Sequence, residues 1–234
     1  MLVERRGEYA LFLCASCGLV FSDPMRGAGP VCYRKAEADV DYWTRGPGLG
    51  WHHRQFLERV PACGGRLLDV GCGTGEFMAS ARDAGYDVWG IDFVAEKIEA
   101  ARRRRGLVNA FVMTASELAS SLPGKRFDVA TCFEVIEHLE DPAGFIAQIK
   151  TLLNPGGYLA ISVPNRVRTF AVFEKRENDG PPHHLTRWDL RSIAGFLERN
   201  GFMVVDSAIK RPDLGGWIMA RTGSAFASRL FSPV

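Results

Sequence analysis

Leu68-Asp69-Val70-Gly71-Cys72-Gly73-Thr74-Gly75-Glu76-Phe77 is the stretch that decides how this chain folds. A short apolar run, Arg66 to Val70, leads into three glycines at alternate positions, and an apolar-periodic stretch from Glu76 to Ala84 follows. That order reads as a buried strand, a tight turn and a helix, the helix stopped by Gly85 as its C-cap. Glycines carry no Cβ, so the backbone can turn sharply here and approach a ligand closely.

Working outward, the same alternation repeats. Asp87 to Ile91, Val108 to Met113, Phe127 to Phe133 and Tyr158 to Val163 read as further strands. Ala95 to Arg105 reads as a helix closed by Gly106, and Pro142 to Leu153 as one with proline in its first turn. Strands alternating with helices of this length predict a parallel sheet covered on both faces. Right-handed crossovers then put the ligand site at the carboxyl ends of the strands. Leu185 to Asn200 reads as a later helix, with Thr186 as N-cap and Asp189 three residues on. Phe202 to Ile209 and Gly216 to Ala220, joined at Arg211-Pro212-Asp213, predict an antiparallel hairpin, making the sheet mixed. The fold class expected is α/β, doubly wound and Rossmann-like.

Residues 1–45 differ in texture and predict a small hairpin-like appendage and linker, with 46–234 as the main domain and His52 to Val60 as its leading helix. Hydrophobic residues make up 47% of the 234 and charged residues 24%, values of a globular protein with a sizeable core. A net charge of +2 gives no electrostatic reason to expect nucleic acid or a membrane surface as partner. No apolar run approaches the ~18 residues of a membrane span, and Met1 to Arg6 lacks a signal-like stretch. Cys72 and Cys132 lie in strand-like apolar runs, which predicts a reduced, cytoplasmic protein.

Asp92 lies 17 residues beyond Gly75, at the end of the second strand of the main domain. A carboxylate there is placed for the two hydroxyls of a ribose, and the neighbouring Phe93 for one face of an adenine. Dinucleotide enzymes use the spacing G-x-G-x-x-G to receive a pyrophosphate. Here the spacing is G-x-G-x-G, preceded by Asp69, which would repel a pyrophosphate and favour a ligand carrying an ammonium and a sulfonium.

With these residues in place, the segment resembles motif I of the class I S-adenosylmethionine-dependent methyltransferases. The resemblance continues through Phe127-Asp128-Val129-Ala130-Thr131-Cys132-Phe133-Glu134-Val135-Ile136-Glu137-His138-Leu139-Glu140-Asp141-Pro142 and Leu152-Leu153-Asn154-Pro155-Gly156-Gly157. These blocks are similar to the branch holding the ubiquinone-biosynthesis O-methyltransferases and sugar and natural-product enzymes. The resemblance covers roughly residues 50–220. It implies a seven-stranded sheet with a final antiparallel hairpin, S-adenosylmethionine as cofactor and S-adenosylhomocysteine as product. It implies that Asp69, Gly71, Cys72, Gly73, Gly75 and Phe77 lie around the methionine portion, Asp92 at the ribose, and Phe93 at the adenine. Phe133 and Glu134 would line the same cleft. The third strand departs from the family pattern: an acidic residue is missing, and the Thr114 hydroxyl, with the Ala115 and Ser116 amides, is expected to take its adenine contact.

Methyl transfer displaces the sulfonium in line, so the protein mainly positions the reactants and supplies a base where the acceptor must lose a proton. His138, just after the fourth strand, and the pair His183-His184, in the loop after the fifth, are the candidate bases for a small-molecule hydroxyl acceptor. Adjacent histidines make a poor ligand pair for one ion, and no carboxylate cluster stands beside them in sequence, so no metal is expected there. Arg102 to Arg105 end a helix, where cations complement its dipole, and read as structural rather than nucleic-acid-binding. Cys14-Ala15-Ser16-Cys17 resembles one knuckle of a zinc ribbon, with Cys32 and one of Cys63, His52 or His53 as the remaining ligands. A metal-free remnant is expected. Tyr42-Trp43 and Trp51 to Arg54 are candidates for a lid over the methyl group.

Two other classes share parts of this pattern. A nicotinamide oxidoreductase is disfavoured by the loop spacing and Asp69. A non-catalytic binding protein on the same domain would carry the same residues.

Overall fold

The structure is a computed structural model and describes residues 1–27, 29, 48–60, 64–167, 179–210 and 216–222. Three short strands come first: β1 (Leu2–Arg6), β2 (Tyr9–Leu13) and β3 (Val20–Asp23). Helix α1 (Trp51–Arg59) leads into β4 (Arg66–Val70), α2 (Glu76–Asp83), β5 (Asp87–Asp92), α3 (Ala95–Arg105) and β6 (Ala110–Val112). Then come α4 (Ala115–Ser121), β7 (Phe127–Phe133), α5 (Pro142–Leu152) and β8 (Leu153–Val163). The chain closes with β9 (Thr186–Arg187), α6 (Leu190–Arg199), β10 (Phe202–Ile209) and β11 (Gly216–Thr222).

The main sheet has seven strands in the order β10-β11-β8-β7-β4-β5-β6. Its last five run parallel, while β11 is antiparallel to both β8 and β10. This is the expected mixed, doubly wound sheet with its antiparallel hairpin. The strand order reverses between β4 and β7, and a crevice opens where their carboxyl ends diverge.

Each face of the sheet buries one apolar cluster. Phe56 of α1, Phe77 and Met78 of α2 and Ile98 of α3 cover one face. Leu118 of α4, Ile146 and Ile149 of α5 and Ile193 and Leu197 of α6 cover the other. Side chains of this kind contribute roughly 1.5–3 kcal/mol each when fully buried, and the two clusters clamp the sheet that carries the site. Gly106 closes α3 in the left-handed region, as its sequence predicts. Arg102, Arg103 and Arg105 are engaged within the chain: with the Ala110 carbonyl at 2.8 Å, Glu99 at 3.4 Å and Glu76 at 3.0 Å.

Two expectations need correcting. Thr186 does not cap a helix. It pairs with Phe21 as part of β9, and its hydroxyl accepts the buried Trp188 indole N–H at 2.8 Å. The N-cap of α6 is Asp189, whose carboxylate accepts the Ser192 amide while the Ser192 hydroxyl accepts the Asp189 amide, at 2.8 and 2.9 Å. The first residues also hold more than a hairpin. They form a four-stranded sheet in the order β1-β2-β3-β9, whose last strand comes from far along the chain.

Candidate functional site

The glycine turn comes out of β4 with Gly71, Gly73 and Gly75 all in the left-handed region. Gly71 and Cys72 donate to the Ile91 carbonyl at 2.8 and 3.1 Å, binding the turn to the end of β5. The three glycines serve different purposes. A Cβ on Gly71 would meet Val135 at 2.6 Å, and one on Gly75 would overlap Leu107, whereas one on Gly73 would meet nothing within 4 Å. Asp92, buried at the end of β5, accepts the Gly73 amide on one carboxylate oxygen and the Val94 amide on the other, each at 2.9 Å.

A cleft of about 500 Å³ opens beside this turn, within the range of small-molecule sites. Of the residues the sequence singled out, Gly71, Asp92, Phe93, Thr114, Ala115, Glu134 and His138 line it. Phe93 is 54% exposed, a large aromatic left uncovered at the cleft wall.

Other expected contacts face elsewhere. The Cys72 thiol is buried near Gly90, and burial pushes its pKa well up. Phe77 and Phe133 pack edge to face at 5.0 Å and carry α1: His53 stacks on Phe77 at 5.1 Å, and His52 lies 5.2 Å from Phe133. The helix that holds Trp51 to Arg54 is therefore seated on the aromatic core, and Tyr42-Trp43 fall outside the described residues. Asp69 sits beneath the turn, its carboxylate accepting the Thr131 hydroxyl at 2.7 Å. Burial raises its pKa to about 7, with the Asp92 charge adding to the rise. Thr114 is the N-cap of α4, its hydroxyl already bonded to the Glu117 carboxylate at 2.9 Å and to the Glu117 amide at 3.2 Å. Ser116 is exposed outside the cleft lining.

One wall of the cleft carries no sequence signal. Gly27 and Gly29, beyond β3, line the cleft, and the Gly27 amide donates to Glu140 at 2.8 Å. These partners stand 113 residues apart, beyond the reach of any local pattern.

Glu134, also in the cleft lining, follows β7 with a φ of 56°, the one non-glycine in the left-handed region among the described residues. Ser162 holds it, donating its hydroxyl to the carboxylate at 2.8 Å and accepting the Glu134 amide at 3.1 Å on its carbonyl. Burial raises the Glu134 pKa. Strain of this kind, on the order of 1–3 kcal/mol, collects at functional sites. One short turn on, Glu137 is buried with one carboxylate oxygen unpartnered, and burial holds its pKa well above the usual range.

His138 Nδ1 lies 2.9 Å from the His183 carbonyl, which fixes the proton on Nδ1 in the neutral ring and leaves Nε2 as acceptor. Burial lowers its pKa to about 4, with His184 adding to the effect. The His138 and His184 rings meet edge to face at 4.8 Å, and His184 Nδ1 lies 3.3 Å from Asp179. Of the histidine pair, His183 thus offers its carbonyl and His184 its ring. Ligand atoms of Glu137, His138 and His184 all lie within 4.8 Å of one another, an arrangement able to hold a cation. The carboxylate missing beside the histidine pair in sequence is supplied in space by Glu137.

Cys14 and Cys17 occupy the turn between β2 and β3, both as free thiols. Hydrogen bonds from the Cys17 amide and side chain hold the Cys14 thiol below its ordinary pKa. Cys32 and Cys63 lie outside the described residues. His52 and His53 are engaged with each other, Nε2 to Nε2 at 3.2 Å.

A glycine turn tied to an acidic residue at the next strand, under a sheet of this order, defines a doubly wound α/β fold of the cofactor-binding kind. Residues 50–207 match the family described as methyltransferase domain, and the chain belongs to that family. It is similar to the ubiquinone biosynthesis O-methyltransferase of Paraburkholderia phymatum, 33% identical over 154 residues that cover 61% of this chain and 66% of that protein. The corresponding protein of Aeromonas salmonicida is 42% identical over 107 residues, 44% of each chain. The chain spans from about half to two thirds of the length of such curated relatives. In backbone it resembles the magnesium protoporphyrin IX methyltransferase of Synechocystis PCC 6803, solved with bound SAH. The TM-score is 0.64 at 20% identity, covering 83% of this chain and 100% of that one.

Proposed function

We propose that this protein transfers a methyl group from S-adenosylmethionine to a hydroxyl oxygen of a small-molecule acceptor. The observation that carries this reading is His138: a neutral imidazole in the wall of the same cleft that Asp92 and Phe93 line, its tautomer set by the His183 carbonyl. When bound, the cofactor supplies a methyl already activated by the sulfonium. Asp92 accepts the ribose hydroxyls and Phe93 covers the adenine. Gly73, open on its Cβ side, lets the methionine portion approach the backbone. The acceptor hydroxyl gives its proton to His138 Nε2, which lies 3.8 Å from Glu137. Thr114, with its hydroxyl engaged, marks the adenine end by its position on the wall.

The same reading assigns residues 46–234 to the methyltransferase domain and 1–45 to the appendage. It places the protein in the cytoplasm, supported by the free thiols of Cys14, Cys17, Cys72 and Cys132. Among the described residues, no helix is long and apolar enough to cross a membrane.

Calorimetric titration with S-adenosylmethionine and S-adenosylhomocysteine tests the cofactor, and S-adenosylhomocysteine release over a panel of phenols and sugars tests the transfer. Micromolar binding with product from a hydroxyl acceptor is expected. Binding without turnover on any acceptor would instead indicate a cofactor-binding module, and no binding of either ligand would sink the reading.

A further inference from the structure

Arg187, the second residue of β9, reaches across the small sheet to β1, where its Nη1 donates to Glu4 at 3.3 Å. Arg6 takes the other oxygen of the same carboxylate through Nε at 2.6 Å. One carboxylate therefore serves two guanidinium groups, and one positive charge is left over. The Arg6 hydrogen bond, followed by Arg187, holds Glu4 below its ordinary pKa, so the carboxylate stays ionised.

The edge of Arg187 turned away from Glu4 is left open among the described residues. Nε and Nη2 are both buried, and neither has a hydrogen-bond partner among those residues. That edge presents two parallel N–H donors, the fork that grips a carboxylate or phosphate. Buried charged donors left unmade are costly, so a chain keeps them where a ligand completes them. Arg6 converges on the same place: a Cβ on Gly180 would stand 2.7 Å from Arg6 Nη1 and 3.0 Å from Arg187 Nη2. The nearby Asp179 carboxylate faces His184 at 3.3 Å. Gly180 also begins the histidine turn, its carbonyl accepting the His183 and His184 amides at 3.1 and 3.0 Å.

We propose that Arg187 and Arg6 form an oxyanion subsite that takes a carboxylate or phosphate group carried by the methyl acceptor. The inference rests on the methyl-transfer reading for its ligand. It is distinct from the cofactor contacts: Gly71, Asp92 and Phe93 stand at the ends of β4 and β5, whereas Arg187 follows the His183–His184 loop. The histidine turn links the two places: it starts at Gly180, and its His184 ring meets the cleft-lining His138 at 4.8 Å. Acceptors with an anionic group two or more bonds from the hydroxyl are therefore preferred over their neutral analogues.

The test is calorimetric titration of the full chain, alone and saturated with S-adenosylhomocysteine, using benzoate, phenyl phosphate, benzyl alcohol and inorganic phosphate as probes. Benzoate or phenyl phosphate is expected to bind at least tenfold more tightly than benzyl alcohol. Arg187→Gln should remove the difference, as should Gly180→Ala, which fills the space between the two guanidinium groups. S-adenosylhomocysteine affinity should stay within twofold in both variants, showing that each is folded. No binding of any anion, or binding that both variants leave unchanged, overturns the subsite. Inorganic phosphate binding as tightly as the aromatic anions overturns its assignment to the acceptor. Failure of wild-type protein to bind S-adenosylhomocysteine would reject the methyl-transfer reading, while the titrations of unliganded protein would still decide the oxyanion subsite.

Discussion

Asp92 and Gly73, nineteen residues apart, are joined by a 2.9 Å hydrogen bond from the glycine amide to the carboxylate. The other oxygen holds Val94, so one side chain fixes both the glycine turn and the approach to Phe93. Asp92→Ala should weaken S-adenosylhomocysteine binding by about 1–3 kcal/mol, roughly fivefold to 150-fold. Calorimetry checks this; an unchanged dissociation constant would remove Asp92 from the ribose contact.

Asp69 shows a cost stored beneath the site. Its pKa of about 7 in the folded chain exceeds the ordinary carboxylate value, so folded protein keeps a proton that the unfolded chain releases. Its contribution to stability is greatest below the unfolded value and is lost as pH rises through about 7. Asp69→Asn should accordingly raise the melting temperature at pH 8, by the equivalent of up to about 4 kcal/mol, and reduce affinity for the cationic cofactor. Melting curves from pH 5 to 8, paired with titrations, test both effects. A variant melting lower than wild type at pH 8 would contradict the account.

Gly73 and Gly75 should fail differently when changed to alanine. Each carries a left-handed φ, costing roughly 1–2 kcal/mol for an L side chain. Only Gly75→Ala also collides with Leu107 in the core. Gly75→Ala should therefore show the larger fall in melting temperature, and Gly73→Ala the larger loss of ligand affinity per degree of melting temperature lost.

His138 has a pKa of about 4, well below that of a free imidazole. Its neutral form, the base, persists from pH 8 down to about 5, so kcat at saturating cofactor should be flat across that span and fall below it. His138→Gln should lower kcat by about 10²–10⁴ while leaving S-adenosylhomocysteine affinity within twofold. A rate profile breaking near pH 6.5 would indicate an unburied histidine as the base.

Asp189→Ala removes the cap of α6 and the carboxylate paired with Arg166. Thermal or denaturant unfolding should register a loss of about 1–2 kcal/mol. A loss within the error of the unfolding measurement would show that the Asp189–Ser192 box does not hold the helix.

The parallel sheet was legible because Leu68 to Phe77 states a strand, a turn and a helix in one line, and the later strands repeat the pattern. Which side chains of that line enter the cleft was not legible. Cys72 and Phe77 sit among cleft residues in sequence, but the turn rotates both into the core. Thr114 lines the cleft, but its hydroxyl bonds Glu117 three residues on, a capping box written in the residue types at 114 and 117. The grouping of Glu137 with His184 depends on how a distant loop folds back, as does the Gly27–Glu140 contact. Local periodicity carries no information on either.

The pairing of β3 with β9 sets an order of events during synthesis. Val20 pairs with Leu13 on one side, but its other edge has no partner until Arg187 has been made, 167 residues later. At about 5–20 residues per second, that is a wait of roughly 8–33 s. Through that interval β3 has an open edge, and Ser22 lacks the Leu185 carbonyl that later receives its amide at 2.8 Å. The parallel sheet can begin to assemble in the meantime. The first strands of the chain are among the last to be completed, and their completion coincides with the arrival of the histidine turn.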